Sequence, residues 1–147
     1  MKALGLVSAL AVLATGCGAG DPEAEIRALL AAAEEAAEAR DVGFFGDALA
    51  DGYSDARGND RDEILRELRG YFIANQRIEI LSRIDEIVVE DDGSARAVVH
   101  AGMVGRRAGA ELIDGIDADL YRFELTLVND GGEWQVASAD FRRAVGE

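Results

Sequence analysis

His100 is the only histidine in this 147-residue chain, and Cys17 is its only cysteine. A nucleophilic Cys–His pair or a transition-metal site, which draws on several His and Cys ligands, has almost nothing to be built from. Ser54, Ser82, Ser94 and Ser138 sit outside any Gly-x-Ser-x-Gly turn. The string Gly102-Met103-Val104-Gly105 lacks the lysine and following helix of a phosphate loop. Nothing calls for a cofactor or a metal. Carboxylates remain, because general acid–base work needs a titratable group within hydrogen-bond reach of its substrate. Asp140 alternates with Trp134 and Val136, which puts it on the core-facing side of the last strand. A charge there is costly unless it is paired or lines a cavity. Asp55 stands beside Tyr53 and Arg57. That trio reads either as an acid with a tyrosine partner or as an ordinary polar turn in which Arg57 pairs with Asp55.

The elements that must position these groups follow from periodicity. Asp21 caps a helix with Pro22 in its first turn, and Ile26, Leu29, Leu30, Ala33 and Ala37 recur at helical spacing to about Arg40 or Val42. Phe44 to Ala50 form a short second helix, and Tyr53 to Asn59 a polar connection. Asp60 and Glu63 make a capping box for a third helix, which ends near Gln76. The period then changes to 2. Ile78 and Ile80 share one parity and Ile87 and Val89 the other, so a bulge is expected near Ile84 to Glu86. Asp91-Asp92-Gly93 is a hairpin turn. Ala95, Ala97, Val99, Ala101 and Met103 then form one face, with His100 on the opposite, outer side. An irregular excursion runs from Gly105 to Asp117. It is followed by a strand through Tyr121, Phe123, Leu125 and Leu127, a turn at Asn129 to Gly132, and a last strand from Trp134. Helices first and an antiparallel meander afterwards specify an α+β domain with its helices on one sheet face. Tyr71, Tyr121, Phe123, Trp134 and Met103 are expected to line whatever hollow lies between the layers.

The amino-terminal stretch has a different character. Lys2 precedes an apolar run from Leu4 to Leu13, too short for a bilayer span, which needs about 20 residues. Leu13-Ala14-Thr15-Gly16-Cys17 resembles the lipobox of bacterial lipoproteins, with Ala14 where Leu is commoner. The resemblance implies a signal peptide over 1–16, a lipid on Cys17, a tether over 17–20 and a domain over 21–147. It implies export and a lipid anchor in the cell envelope, at the periplasmic face of the outer membrane in a Gram-negative host. Beyond residue 16 the chain keeps all 29 acidic and 14 of its 15 basic residues, a formal charge of −15. That balance argues against nucleic acid and against a domain lying electrostatically on anionic lipid. A four-residue tether spans at most ~14 Å, so a partner or substrate is expected at the membrane surface.

The order of elements, with the closing stretch Glu133 to Phe141, resembles the nuclear transport factor 2-like (SnoaL-like) superfamily. The resemblance implies a curved sheet forming a cone under the helices; this chain departs from the family where the small hairpin between the second and third helices is cut down to about Tyr53 to Asn59. It also implies two broad roles. One is pocket enzymes such as ketosteroid isomerases, dehydratases and epoxide hydrolases, which use a carboxylate or His–Asp pair with a tyrosine. The other is non-catalytic binding or assembly modules. Without a His–Asp pair, the expected role is an accessory lipoprotein binding a small apolar ligand or an envelope protein. The alternative is a small-molecule isomerase, dehydratase or hydrolase using Asp140 or Asp55 with a tyrosine. A homodimer through the outer sheet face, with Val98, His100, Leu120, Ala137, Ala139 and Phe141, is a third possibility.

Replacing Cys17 by Ser is predicted to move the chain from the membrane to the soluble fraction; fractionation of cell extracts checks this.

Overall fold

The structure is a computed structural model that describes residues 20–107 and 116–144. Cys17, the leader and most of the tether lie outside the described residues, as do residues 108–115 of the expected excursion. The elements are α1 (Pro22–Glu38), α2 (Val42–Ala48), β1 (Leu49–Asp55), α3 (Arg61–Ala74), β2 (Asn75–Val89), β3 (Ser94–Arg107), β4 (Ile116–Asp130) and β5 (Glu133–Arg143). The caps are the ones the sequence announces. Asp21 accepts from Glu23 N at the start of α1, and Asp60 and Glu63 close a reciprocal box on α3.

The five strands form one sheet in the order β1-β5-β4-β3-β2, antiparallel except for β1 on β5. The expected helix to Ala50 and polar connection from Tyr53 are corrected here. The helix stops at Ala48, and Leu49–Asp55 is a strand pairing parallel with β5. Its partner lies far away in sequence, and Asp51-Gly52 reads locally as a turn. The pairing is also irregular, with a register shift between Leu49 and Ser54.

α1 covers the sheet and ties two clusters together. At its start Ile26 meets Ala95, Ala97, Leu127 and Trp134; at its end Ala37 joins Phe72 and Ile78. The small side chains of Ala95 and Ala97 leave room for Ile26, while the helix itself lies chiefly over β2. The aromatic pair of α2 contributes through Phe45, whose ring centroid is 6.1 Å from that of Phe72.

Of the three register shifts in the antiparallel ladders, between Asn75 and Arg77, Ile84 and Glu86, and Thr126 and Leu127, the last two set the faces in the middle of the sheet. The one between Ile84 and Glu86 lies where the change of parity requires it. The last was not expected. Thr126 pairs with Ser138 while Leu127 pairs with Val136, so Ala137 is an extra residue in β5. Each extra residue exchanges the two faces beyond it. Trp134 and Val136 therefore face inward, but so do Ala139, Phe141 and Arg143, opposite Leu125, Phe123 and Tyr121. Asp140 is thrown outward, exposed and opposite Glu124, which corrects its expected place on the core side. Ala139 and Phe141 likewise leave the outer face to which alternation had assigned them.

Leu127 is fully buried beneath α1. Leu127→Ala is predicted to destabilise the fold by about 3 kcal/mol, read as a lower urea midpoint at unchanged slope.

Candidate functional site

Beyond the Ala137 bulge, β4 and β5 present an aromatic floor to the helix side. Phe141 lies with its ring centroid 5.7 Å from Phe123 and 6.3 Å from Tyr121, and those two are 6.1 Å apart. The guanidinium carbon of Arg57 sits 4.6 Å from the centre of the Phe141 ring, within reach of a cation–π contact. Arg57 is held there from two sides, by Glu67 of α3 at 2.8 Å and by Asp55 at 3.4 Å.

Asp55 ends β1, and its side chain is only 1% exposed. One carboxylate oxygen accepts from Arg57 N and Asn59 N, each at 2.9 Å; the other accepts from Asn59 Nδ2 at 2.9 Å and from Arg57 Nη2. Burial alone would push this carboxyl up. The donors of Asn59, the Arg57 N–H and the Arg57 charge outweigh it and hold the group below the usual carboxylate range. Tyr53, also buried, behaves oppositely. Burial first, then the Asp55 charge, pushes its phenol up to about 12. At neutral pH the trio is thus an ionised carboxylate with its donors satisfied, a protonated phenol and a paired arginine.

A second polar group lies on the same face. Asp119 accepts from the Tyr121 hydroxyl at 3.2 Å, and Arg143 Nη2 is 2.9 Å from its carboxylate. Asp55 pairs with Ala139, and Arg143 lies four residues further along β5. Roughly 13 Å of strand therefore separates the two groups, with Phe141 between them. Asp119 also borders an open cavity of ≈ 490 Å³, lined by Glu38 at the end of α1, by Ile80, Met103, Val104 and Leu120, and by neighbouring strand residues. Its walls are chiefly apolar, and its size falls in the range of small-molecule pockets.

The expected residues are distributed as follows. Tyr53 and Asp55 lie together in the interior, Tyr121 and Phe123 form the floor beside them, and Met103 lines the cavity. Trp134 sits at the opposite end, packed in the α1 cluster, with its indole N–H donating to Glu25 at 3.1 Å. It also borders a smaller hollow of ≈ 300 Å³ with Leu29 and Phe44. Tyr71 packs beside Phe72 in the other cluster. His100 is on the outer face, with Nδ1 2.7 Å from Asp85, and Asp140 is outside as well. The sequence reading missed Glu67, Asp119, Phe141 and Arg143. Asp119 had a usable signal, since it shares the parity of Tyr121 and Phe123; Phe141 and Arg143 were concealed by the bulge. Among the described residues no three of His, Cys, Asp or Glu converge as metal ligands, and no helix is long and apolar enough to cross a membrane.

No family model and no curated protein matches the chain. Solved structures do. A scytalone dehydratase candidate from Novosphingobium aromaticivorans superposes with a TM-score of 0.75 at 12% identity, over 84% of each chain. An uncharacterised cystatin-like protein from Caulobacter vibrioides gives 0.69 at 20% identity, over 86% of this chain and 92% of that one. A ketosteroid isomerase-like protein from Erwinia carotovora atroseptica gives 0.66 at 15% identity, over 84% and 96%. At these identities the likeness establishes the fold. It is the cystatin-like, nuclear transport factor 2-like α+β architecture, helices against a curved, mostly antiparallel sheet.

Because the Asp55 carboxyl is held below its unfolded value of 3.8, its ionised form stabilises the fold above that pH, and the contribution fades as pH falls through the folded value. Asp55→Asn is predicted to cost about 3 kcal/mol at pH 7 and progressively less below about pH 4. Urea titrations of both chains across that range measure the difference.

Proposed function

We propose that this protein is a non-enzymatic, membrane-anchored binding module that takes a small apolar ligand in the open cavity beside Met103. The observation that carries the reading is the state of Asp55. A general base needs a free lone pair and an affinity for protons near the working pH. Asp55 has its oxygens engaged by Arg57 and Asn59 and its proton affinity lowered, so it holds the loop after β1 in shape and presents Arg57 to Phe141. The cavity offers Ile80, Met103, Val104 and Leu120, surfaces that reward burial of apolar area. Anchoring through a lipidated Cys17 and residence in the cell envelope belong to this proposal and rest on the lipobox-like segment.

One observation favours a second reading, a small-molecule dehydratase, isomerase or hydrolase. Tyr121 donates to Asp119 at the edge of the cavity, a phenol beside a carboxylate where a substrate could reach both. Two of the structural neighbours bear names of that kind, a scytalone dehydratase candidate and a ketosteroid isomerase-like protein. On this reading the acting acid is Asp119 rather than Asp140, which faces outward.

Titration of the domain from residue 20 with the neutral apolar dye Nile red is predicted to show saturable binding. Met103→Glu should weaken it about ten-fold or more at unchanged circular dichroism, because a charge would then enter an apolar wall. Undiminished binding by that variant would remove the cavity from the reading, and native mass spectrometry of the same domain identifies any co-purified ligand.

A further inference from the structure

The smaller hollow, of ≈ 300 Å³, takes no part in the site described above. It is enclosed by the first turns of α1, by α2, by the turn between β4 and β5 and by the start of β5. Its walls combine two kinds of group. Leu29, Phe44 and Trp134 are apolar, and two of them bring aromatic rings; Glu25, Asp47 and Glu133 are acids. Elsewhere in the chain Glu23, Asp55, Glu67 and Asp119 each have an arginine partner. Among the described residues no arginine borders this hollow, and none of its three acids forms an ion pair. Arg61 reaches α2 at the Gly46 carbonyl without bordering the hollow.

The side-chain donors of the walls are spent on the frame. The Trp134 indole N–H donates to Glu25 Oε2 at 3.1 Å, and the Gln135 amide donates to the Asp47 carbonyl at 2.9 Å. These two bonds fix α1 and α2 to β5 and hold the hollow in shape. What its side chains offer a guest is therefore carboxylates and aromatic rings, with no donor left over.

We infer that the hollow binds a methylated ammonium ion, a compact organic cation with no phosphate attached. A cleft lined by charges of one sign concentrates ions of the other. Aromatic faces attract a cation whose charge is spread over methyl groups, and those methyls gain by burial against Leu29 and the rings. An inorganic cation would keep its water and gain nothing from such walls, and among the described residues no three carboxylates converge as metal ligands. The volume sits at the lower end of the range for small-molecule pockets, which suits a compact guest. A side chain on Gly20 would collide with the Glu25 carboxylate, so the hollow stands at the root of the tether. If the chain is anchored at Cys17, choline headgroups come within reach. They carry a phosphate beside the ammonium, and the three carboxylates repel it. The free cation is the guest assigned here.

The test uses the full-length chain in a maltoside detergent, which carries no ammonium group, at constant ionic strength. Trp134 is the only tryptophan in the chain, so its fluorescence reads occupancy of the hollow, with calorimetry as a second measurement. Choline and tetramethylammonium are expected to bind saturably, with half-saturation at or below about 1 mM. Neohexyl alcohol, which has the shape of choline without its charge, is expected to bind about ten-fold more weakly or worse, and so is phosphocholine. Asp47→Asn with Glu133→Gln, both at exposed positions, should weaken choline binding about ten-fold at unchanged circular dichroism. Phe44→Leu, which keeps an apolar wall but removes a ring, should weaken it about three-fold. No saturable binding up to about 10 mM by either measurement would overturn the inference. So would equal binding of the neutral alcohol, or undiminished binding by the chain lacking both carboxylates. Phosphocholine binding as tightly as choline would overturn the assignment to the free cation.

Discussion

One extra residue in the last strand governs most of what this molecule can do. Ala137 has no partner on β4, and its insertion reverses which side chains of β5 meet the helices. Without it Asp140 would be driven inward beside Leu125 and Phe123, an unpaired charge in a region built for apolar contact. Phe141 and Arg143 would then point away from the interior. With it, Phe141 completes the aromatic floor, Arg143 reaches Asp119, and Asp140 joins the arginines outside. A register choice in a sheet is all-or-none for every residue beyond it, so floor, polar groups and outer charges stand or fall together.

The interior site is held by polar groups that satisfy one another. Asp55 closes the loop from Arg57 to Asn59, Arg57 bridges Asp55 to Glu67 on α3, and its guanidinium caps Phe141. This chain of contacts ties the edge strand β1, a helix and the far end of β5 into one unit. Surface ion pairs contribute little on their own. Here the member that matters is Asp55, because it is buried and its donors are mostly backbone and amide groups that cannot swing away. The same saturation that makes it a good fastener makes it a poor proton acceptor.

Much of this architecture was legible in the residues. The two capped helices, the period change after α3, the bulge at Ile84 to Glu86 and both hairpin turns follow from local rules of capping, alternation and glycine placement. The rest depended on pairing at a distance. β1 is a strand only because β5 offers it an edge, and Asp51-Gly52 carries a turn signal that this pairing overrides. The Ala137 bulge is invisible because Val136, Ala137, Ala139 and Phe141 are all apolar enough for either face. Asp55 and Tyr53 were identifiable as neighbours, yet their opposite electrostatic fates come from Asn59 and from burial. Neither is encoded in spacing.

α1 also acts as a measuring rod. Glu25, near its beginning, touches Trp134 beside the hairpin turns, while Glu38, at its end, borders the cavity. Thirteen residues of helix separate them, about 20 Å. If the chain is anchored through Cys17 and the cavity takes a ligand, as proposed, that cavity stands this far from the first turn of the domain, beyond the reach of the tether itself. A guest would then be handed over at the distal rim, from solution or from another protein, rather than drawn directly out of the lipid.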